Sequence, residues 1–202
     1  IGRFDQFMYP YFASDLAKGV SEDELYELVC EFFISFNLDS DKYVGVQQGD
    51  NGQAMMLGGC DKDGNDAYNR LSELCLEASG ELLVIDPKIN LRVNKNTPHE
   101  RYVKGTHLTK AGLGFPQYSN DDVVIPGLVD LGYSLEDARD YTVAACWEFI
   151  VQGNGGDIPK LEQYEQEISY LSIDAGADIV FGVHHHVLKG VEYYKGKPIY
   201  HG

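Results

Sequence analysis

The chain has 202 residues, enough for one domain or two small ones that bury roughly two-thirds of the surface an unfolded chain exposes. Sixteen Lys and Arg stand against 32 Asp and Glu, a formal charge of -16 that repels a phosphate backbone or an anionic membrane, so nucleic acid is not an expected partner. No run of 18 apolar residues and no basic segment followed by an apolar core occurs, which leads to the expectation of a soluble, untargeted, cytoplasmic protein with no membrane span.

The first residue is Ile1, which puts the expected true start upstream. Ser21 followed by Glu24 is a capping box, and Leu25, Leu28, Val29, Phe32, Phe33 and Phe36 recur at helical spacing, predicting a helix over 22–36 with a broad buried face. Glycines dominate 44–64, as in loops and short strands. Asp61, Asp63 and Asn65 imitate the start of a calcium loop, but Asp66 occupies the glycine position and the closing glutamate is missing. Asp66 is instead read as the cap of a helix running to Ser79, with Leu71, Leu74, Cys75 and Ala78 inward and Gly80 as terminator.

Leu82-Leu83-Val84-Ile85 and Leu91-Arg92-Val93 read as short strands, and Thr97-Pro98 opens an element holding His99, Glu100 and Arg101. After the glycine-rich turn 111–116, Tyr118 to Asp122 offers short polar side chains to local backbone. Ser134 with Asp137 starts a helix expected to carry Ala138, Tyr141, Thr142 and Ala145 toward Cys146. Beyond Gly153-Asn-Gly-Gly156, residues 160–175 are helical by pattern, with Leu161, Tyr164, Ile168, Leu171 and Ala175 on one side. A short buried strand at 178–182 then leads to His184-His185-His186, and Lys195-Gly196 marks a hairpin. The cysteines Cys30, Cys60, Cys75 and Cys146 are widely and unequally spaced, which favours free thiols in a reducing compartment.

Two groups of residues carry chemistry. Cys146-Trp147-Glu148 by itself most simply suits a packed helix end, because cysteine is often buried, and is also compatible with radical chemistry. A neighbouring carboxylate raises a thiol pKa and so disfavours a thiolate nucleophile. Hydrogen-atom abstraction passes through the neutral thiol, and the carboxyl beside it can move a proton. His184 and His186, two apart, present their imidazoles to one side on an extended strand end; metal ligation and an incidental loop explain them equally.

Residues 1–159 resemble the glycyl radical enzymes, the pyruvate formate-lyase-like family. The matching residues run in order through Ile1-Gly-Arg-Phe-Asp5, Tyr9-Pro10-Tyr11, Leu57-Gly-Gly59 with Asp61 and Gly64, Asn69, Asp86-Pro87, Arg92, Thr97-Pro98, Gly112 to Pro116, Asn120-Asp121, Ile125-Pro126, Gly132-Tyr133-Ser134, Glu136 to Tyr141, and Cys146-Trp147-Glu148. The resemblance implies an α/β fold, a partial segment of the glycyl-radical-type ten-stranded barrel. In it Cys146 matches the thiyl-radical cysteine and Glu148 the glutamate that acts as base toward a diol or choline in the eliminating branch. The formate-lyase branch pairs two cysteines at this place, so Cys-Trp-Glu implies a lyase or dehydratase acting on a small-molecule substrate. Asn120 and Asp121 are candidate substrate-binding residues, with a turn-forming role as the alternative. The family also implies an organic radical on a glycine, installed by a radical S-adenosylmethionine activase. No Arg-Val-x-Gly-Tyr-like segment occurs in these 202 residues, so the chain alone is expected to be inactive.

Residues 160–202 resemble the C-terminal part of the capsule-synthesis (poly-gamma-glutamate) metallophosphoesterases, on Ile173-Asp-Ala-Gly-Ala-Asp178, Gly182-Val-His-His-His-Val187-Leu188, Gly190, Glu192, Tyr194 to Lys197 and Pro198-Ile-Tyr200. His185 replaces the usual proline, and His184 and His186 keep the implied ligand positions. The family's other metal-ligand motifs are not found here, leaving a single weakly bound divalent ion as the metal expectation. The whole reads as 1–159 joined to a helix–strand–hairpin tail at 160–202. The alternatives are a metal-binding phosphoesterase-like protein and a non-catalytic chimera, and exposed sheet edges predict self-association.

Overall fold

The computed structural model describes residues 1–36, 52–144, 148–153, 158–182 and 190–201, with the backbone alone for 158–164. Two compact units divide the chain, Ile1–Asn154 and Gly155–Gly202.

The first unit opens with α1 (Phe4–Phe7), α2 (Tyr9–Ala17) and α3 (Glu22–Ser35). The capping box of α3 forms as expected: Ser21 Oγ accepts from the Glu24 amide at 3.2 Å, and the Glu24 carboxylate accepts from the Ser21 amide at 3.0 Å. Its buried stripe is narrower than the sequence suggests. Leu25, Val29 and Phe33 are inward, whereas Leu28 is 58% exposed.

Strand β1 (Ala54–Gly58) is buried along its whole length, and α4 (Arg70–Leu82) follows. Asn69, not Asp66, caps α4, accepting from the Ser72 amide at 3.2 Å, while Asp66 pairs with Arg101. Gly80 lies inside the helix, which ends at Leu83 in a left-handed conformation of φ 53°. The expected strand at 82–85 is therefore a helix end and a loop, and β2 begins later, at Lys88–Val93. After α5 (His99–Lys110) comes β3 (Gln117–Asn120). The three strands are parallel in the order β1-β2-β3, with Gly58 opposite Arg92 and Arg92 opposite Ser119. Helical crossovers between parallel neighbours make this an α/β unit.

Asn120 caps α6 (Asp121–Asp130), an element the polar stretch at 118–122 had not revealed. Ser134 caps α7 (Leu135–Arg139) as expected, but the helix stops there. Tyr141–Ala144 forms β4, antiparallel to β5 (Glu148–Val151), so the residues expected to continue the helix toward Cys146 are extended.

Alternation along β1 splits its side chains between two cores. Met55 and Leu57 join Ile89, Leu91, Leu74, Cys75 and Phe33 under the helices, and Met56 joins Tyr141, Val143, Val151, Leu128 and Ala138. Each fully buried Leu, Ile, Val, Met or Phe among them contributes about 1.5–3 kcal/mol.

The second unit comprises α8 (Ile158–Asp174), β6 (Val180–Phe181), β7 (Val191–Tyr194) and β8 (Lys197–Tyr200). Its helix, strand and hairpin are those expected from the pattern. Strand β8 is central, parallel to β6 and antiparallel to β7, and Lys195 (φ 52°) with Gly196 (φ 79°) makes the tight turn. Ser169, Ile173 and Ile199 are buried here. The apolar side of α8 is open at two positions, Ile168 being 61% and Leu171 68% exposed. Nor is the strand after Gly176 buried, since Val180 is half-buried and Phe181 exposed. Among the described residues no helix is long and apolar enough to cross a membrane.

Candidate active site

At the C-terminal ends of the parallel strands, where open α/β sheets place their sites, the first unit brings together residues far apart in sequence. Arg92, next to last in β2, is fully buried. Its Nε donates to Asp121 Oδ1 at 2.8 Å, and its Nη1 donates to the carbonyls of Arg139 at 2.8 Å and Tyr141 at 3.3 Å. The guanidinium lies 4.0 Å from the centre of the Tyr141 ring, and the Tyr141 hydroxyl donates to the same Asp121 oxygen at 2.7 Å. Burial pushes the Tyr141 hydroxyl pKa far above its ordinary range, so it remains a donor. Gly59 makes room for this arrangement. Its φ is +84°, and a Cβ there would lie 2.2 Å from Arg92 Nε.

The N-terminal motif braces the same place. Arg3 donates to the carbonyl of Cys60 at 2.7 Å and that of Gly58 at 3.3 Å, and pairs with Asp140 at 2.8 Å. Asp5, fully buried, accepts from the Gly58 amide at 2.7 Å and from Ser72 Oγ at 2.5 Å. Burial pushes its carboxyl pKa up, against the lowering effect of those hydrogen bonds. Asn69 closes the ring by donating to the Asp5 carbonyl at 2.9 Å.

Glu148, predicted as catalytic, begins β5 and stands opposite Ala144; Thr142 stands opposite Ile150. These four share one face of the β4–β5 pair, since opposed and alternate residues point the same way. Both Glu148 carboxylate oxygens are buried. Thr142, Ala144 and Ile150 line a cavity of about 460 Å³, together with Gly2, Gln53 and Gln152. Cys146 lies between β4 and β5 in sequence and outside the described residues, as do His184 and His186.

Asn120 uses its side-chain oxygen to accept from the Asp122 amide at 3.0 Å, the turn-type role considered for it. Asp121 is 5% exposed; Oδ1 serves Arg92 and Tyr141, while Oδ2 is buried and makes no hydrogen bond among the described residues. The cysteines Cys30, Cys60 and Cys75 are free thiols, and burial pushes all three pKa values up. Asp61 accepts from the Asp63 and Asn65 amides, both at 2.9 Å, so the calcium-like loop closes on itself. Among the described residues no three metal-ligating side chains converge.

Sequence reasoning gave Arg92, Tyr141 and Thr142 no site role. The available signal was a charged residue inside the apolar strand Ile89 to Val93, which a buried partner must accompany.

The first unit is an α/β segment whose relatives are enzymes. Residues 1–160 match the model of the pyruvate formate lyase-like family, and the chain belongs to that family. A (2S)-3-sulfopropanediol dehydratase of Klebsiella oxytoca is 36% identical over 159 residues, covering 75% of this chain and 19% of the relative. The solved structure for 1,2-propanediol dehydration in Roseburia inulinivorans superposes with a TM-score of 0.67 at 31% identity, over 75% of this chain and 20% of that one. The glycerol-bound B12-independent glycerol dehydratase of Clostridium butyricum gives 0.64 at 34% identity, over 73% and 19%. The chain thus spans about a fifth of the length of these relatives. Residues 150–202 match the model of the bacterial capsule synthesis protein family.

Proposed function

We propose that residues 1–159 are the catalytic segment of a glycyl-radical-type dehydratase or lyase, with Cys146 as the hydrogen-atom abstractor and Glu148 as the base. The supporting observation is the β4–β5 register: with Ala144 opposite Glu148, the cysteine falls between two paired strands, and the glutamate shares a face with cavity-lining Thr142 and Ile150. The three relatives act, by name, on sulfopropanediol, 1,2-propanediol and glycerol, all vicinal diols. A small vicinal diol is the proposed substrate.

In the proposed reaction the Cys146 thiyl radical removes hydrogen from a carbinol carbon, and Glu148 takes the proton of that carbon's hydroxyl and passes it to the neighbouring hydroxyl, which leaves as water. The thiol then returns hydrogen to the product radical, leaving an aldehyde or ketone. Asp121 Oδ2 is the proposed contact for a substrate hydroxyl, and Asn120 shapes the turn beside it. A stable glycyl radical supplies the first thiyl in such enzymes and requires an activase as partner; no residue of this chain is assigned to it.

A thiyl radical can be generated here by light. The S-nitrosated chain, photolysed without oxygen in 1,2-propanediol, should form propionaldehyde, and Cys146→Ser or Glu148→Gln should not. Equal product from Cys146→Ser ends the proposal.

For residues 160–202, the capsule-synthesis match supports a second reading, a phosphoesterase-type remnant with a single divalent ion at His184 and His186. Calorimetric titration with Zn²⁺ should show one site that a His184→Ala/His186→Ala chain lacks; identical titrations dismiss it.

A further inference from the structure

The residues that meet around Arg92 do more than fill space, because two of their hydrogen bonds land on the backbone that enters β4. Arg92 Nη1 donates to the carbonyls of Arg139 and Tyr141, at the junction where α7 ends and β4 begins. The opposite side of that junction is also held. Arg3 pairs with Asp140 at 2.8 Å, the Gln152 amide donates to the Asp140 carbonyl at 3.3 Å, and Tyr141 stands opposite Val151 in the strand pair. The base of β4–β5 is thus fastened by two buried guanidinium groups. From Tyr141 to Ala144 a strand rises roughly 10 Å, and Ala144 is the residue opposite Glu148. A strand paired to its neighbour transmits a shift at one end to the other, so the setting of Tyr141 determines that of Glu148.

The orientation of Arg92 is itself over-determined. Asp121 takes its Nε, the Tyr141 ring lies under its plane, and the Tyr141 hydroxyl holds the same Asp121 oxygen, so each member limits the rotamers of the other two. Lysine cannot reproduce this, because it offers no planar fork of donors. Buried polar networks of this kind fix one geometry at an energetic cost, a role that suits a reacting group needing placement within a fraction of an ångström.

We propose that Arg92 is a positioning residue for Glu148, acting through β4 and β5, with Asp121 and Tyr141 holding its guanidinium in place. This rests on the pairing of Cys146 with Glu148 proposed above.

A four-way comparison tests it in the full 202-residue chain. The rate of Cys146 alkylation by iodoacetamide is followed against pH by peptide mass spectrometry in wild type, Glu148→Gln, Tyr141→Phe and the double variant. A carboxylate held beside the thiol raises the pH midpoint, so Glu148→Gln should lower it in the wild-type background, by on the order of one pH unit. In the Tyr141→Phe background the same change should produce less than half that shift. Cys75, fully buried, should stay unreactive throughout and report an intact fold. Arg92→Lys repeats the comparison if Tyr141→Phe exposes Cys75. Equal Glu148→Gln shifts in both backgrounds would leave Arg92 with a purely structural role and overturn the proposal. No shift even in wild type would show that Glu148 does not face the thiol, and both readings would fall together.

Discussion

The two units use buried polar groups in opposite ways. In the first, Arg92, Asp121, Asp5 and Arg3 are all nearly sealed from solvent and each makes charge-assisted hydrogen bonds, beside cores that hide Met55, Leu57, Ile89 and Leu91. In the second, the Lys195–Asp174 pair at 2.5 Å lies at the surface, the contacts of His201 with Glu165 and Glu192 are partly buried, and large apolar side chains such as Leu171, Phe181 and Tyr193 are exposed. A buried network commits its residues to one geometry, because leaving a single partner behind is costly. Surface pairs commit little. The contrast teaches that buried polar commitments are concentrated in the first unit, which carries the pyruvate formate lyase-like match.

That contrast can be broken or sharpened by substitution. Arg92→Met should have the largest effect, about 3–5 kcal/mol, since it strands the Asp121 carboxylate away from water; urea unfolding followed by far-UV circular dichroism measures it. A loss below about 1 kcal/mol would show that the network is loosely held. Ile199→Ala, in the centre of the second sheet, should cost about 2–3 kcal/mol by removing buried methyl groups. Proteolysis rates at sites after residue 155 should rise while those of the first unit stay constant.

Ser21→Ala removes the reciprocal cap of α3 and should cost about 1 kcal/mol by thermal melting. The same cap predicts a pH dependence. Hydrogen bonds from the Ser21 amide and hydroxyl hold the Glu24 carboxyl below the usual glutamate range. Its folded pKa is depressed, so its contribution is complete above the unfolded value and disappears as pH falls through the folded one. The Ser21→Ala chain should therefore lose less stability than wild type on acidification across that interval. Smallest of all, Leu171→Ser should alter folding stability by less than about 0.5 kcal/mol. If exposed apolar side chains draw copies together, it should lower the weight-average mass in sedimentation equilibrium; an unchanged mass excludes this residue from any such contact.

Local signals were legible and long-range ones were not. Ser21 with Glu24, Ser134 with Asp137, and Lys195-Gly196 each specify their structure within a few residues, and each forms as read. Leu82 to Ile85 misled because a short apolar run looks alike as a strand and as a buried helix end. The face of α3 was misjudged at Leu28, since helical spacing says which residues align but not how wide a stripe its neighbours cover. Helix α6 was hidden by Pro126 and Gly127 inside it. The Arg92 contacts with Asp121 and Tyr141 join residues 29 and 49 positions apart, and no local pattern encodes such a meeting. The family resemblance supplied those positions as members of a motif, and the fold supplied the reason they belong together.

Strands β1, β2 and β3 are neighbours in the sheet in the order in which they occur along the chain. A growing polypeptide can therefore lay them down one after another, sealing each crossover before the next is made. The guanidinium of Arg92 must wait through 29 residues for its carboxylate and 49 for the carbonyl of Tyr141. Its withdrawal from water therefore depends on partners supplied after all three strands of the sheet.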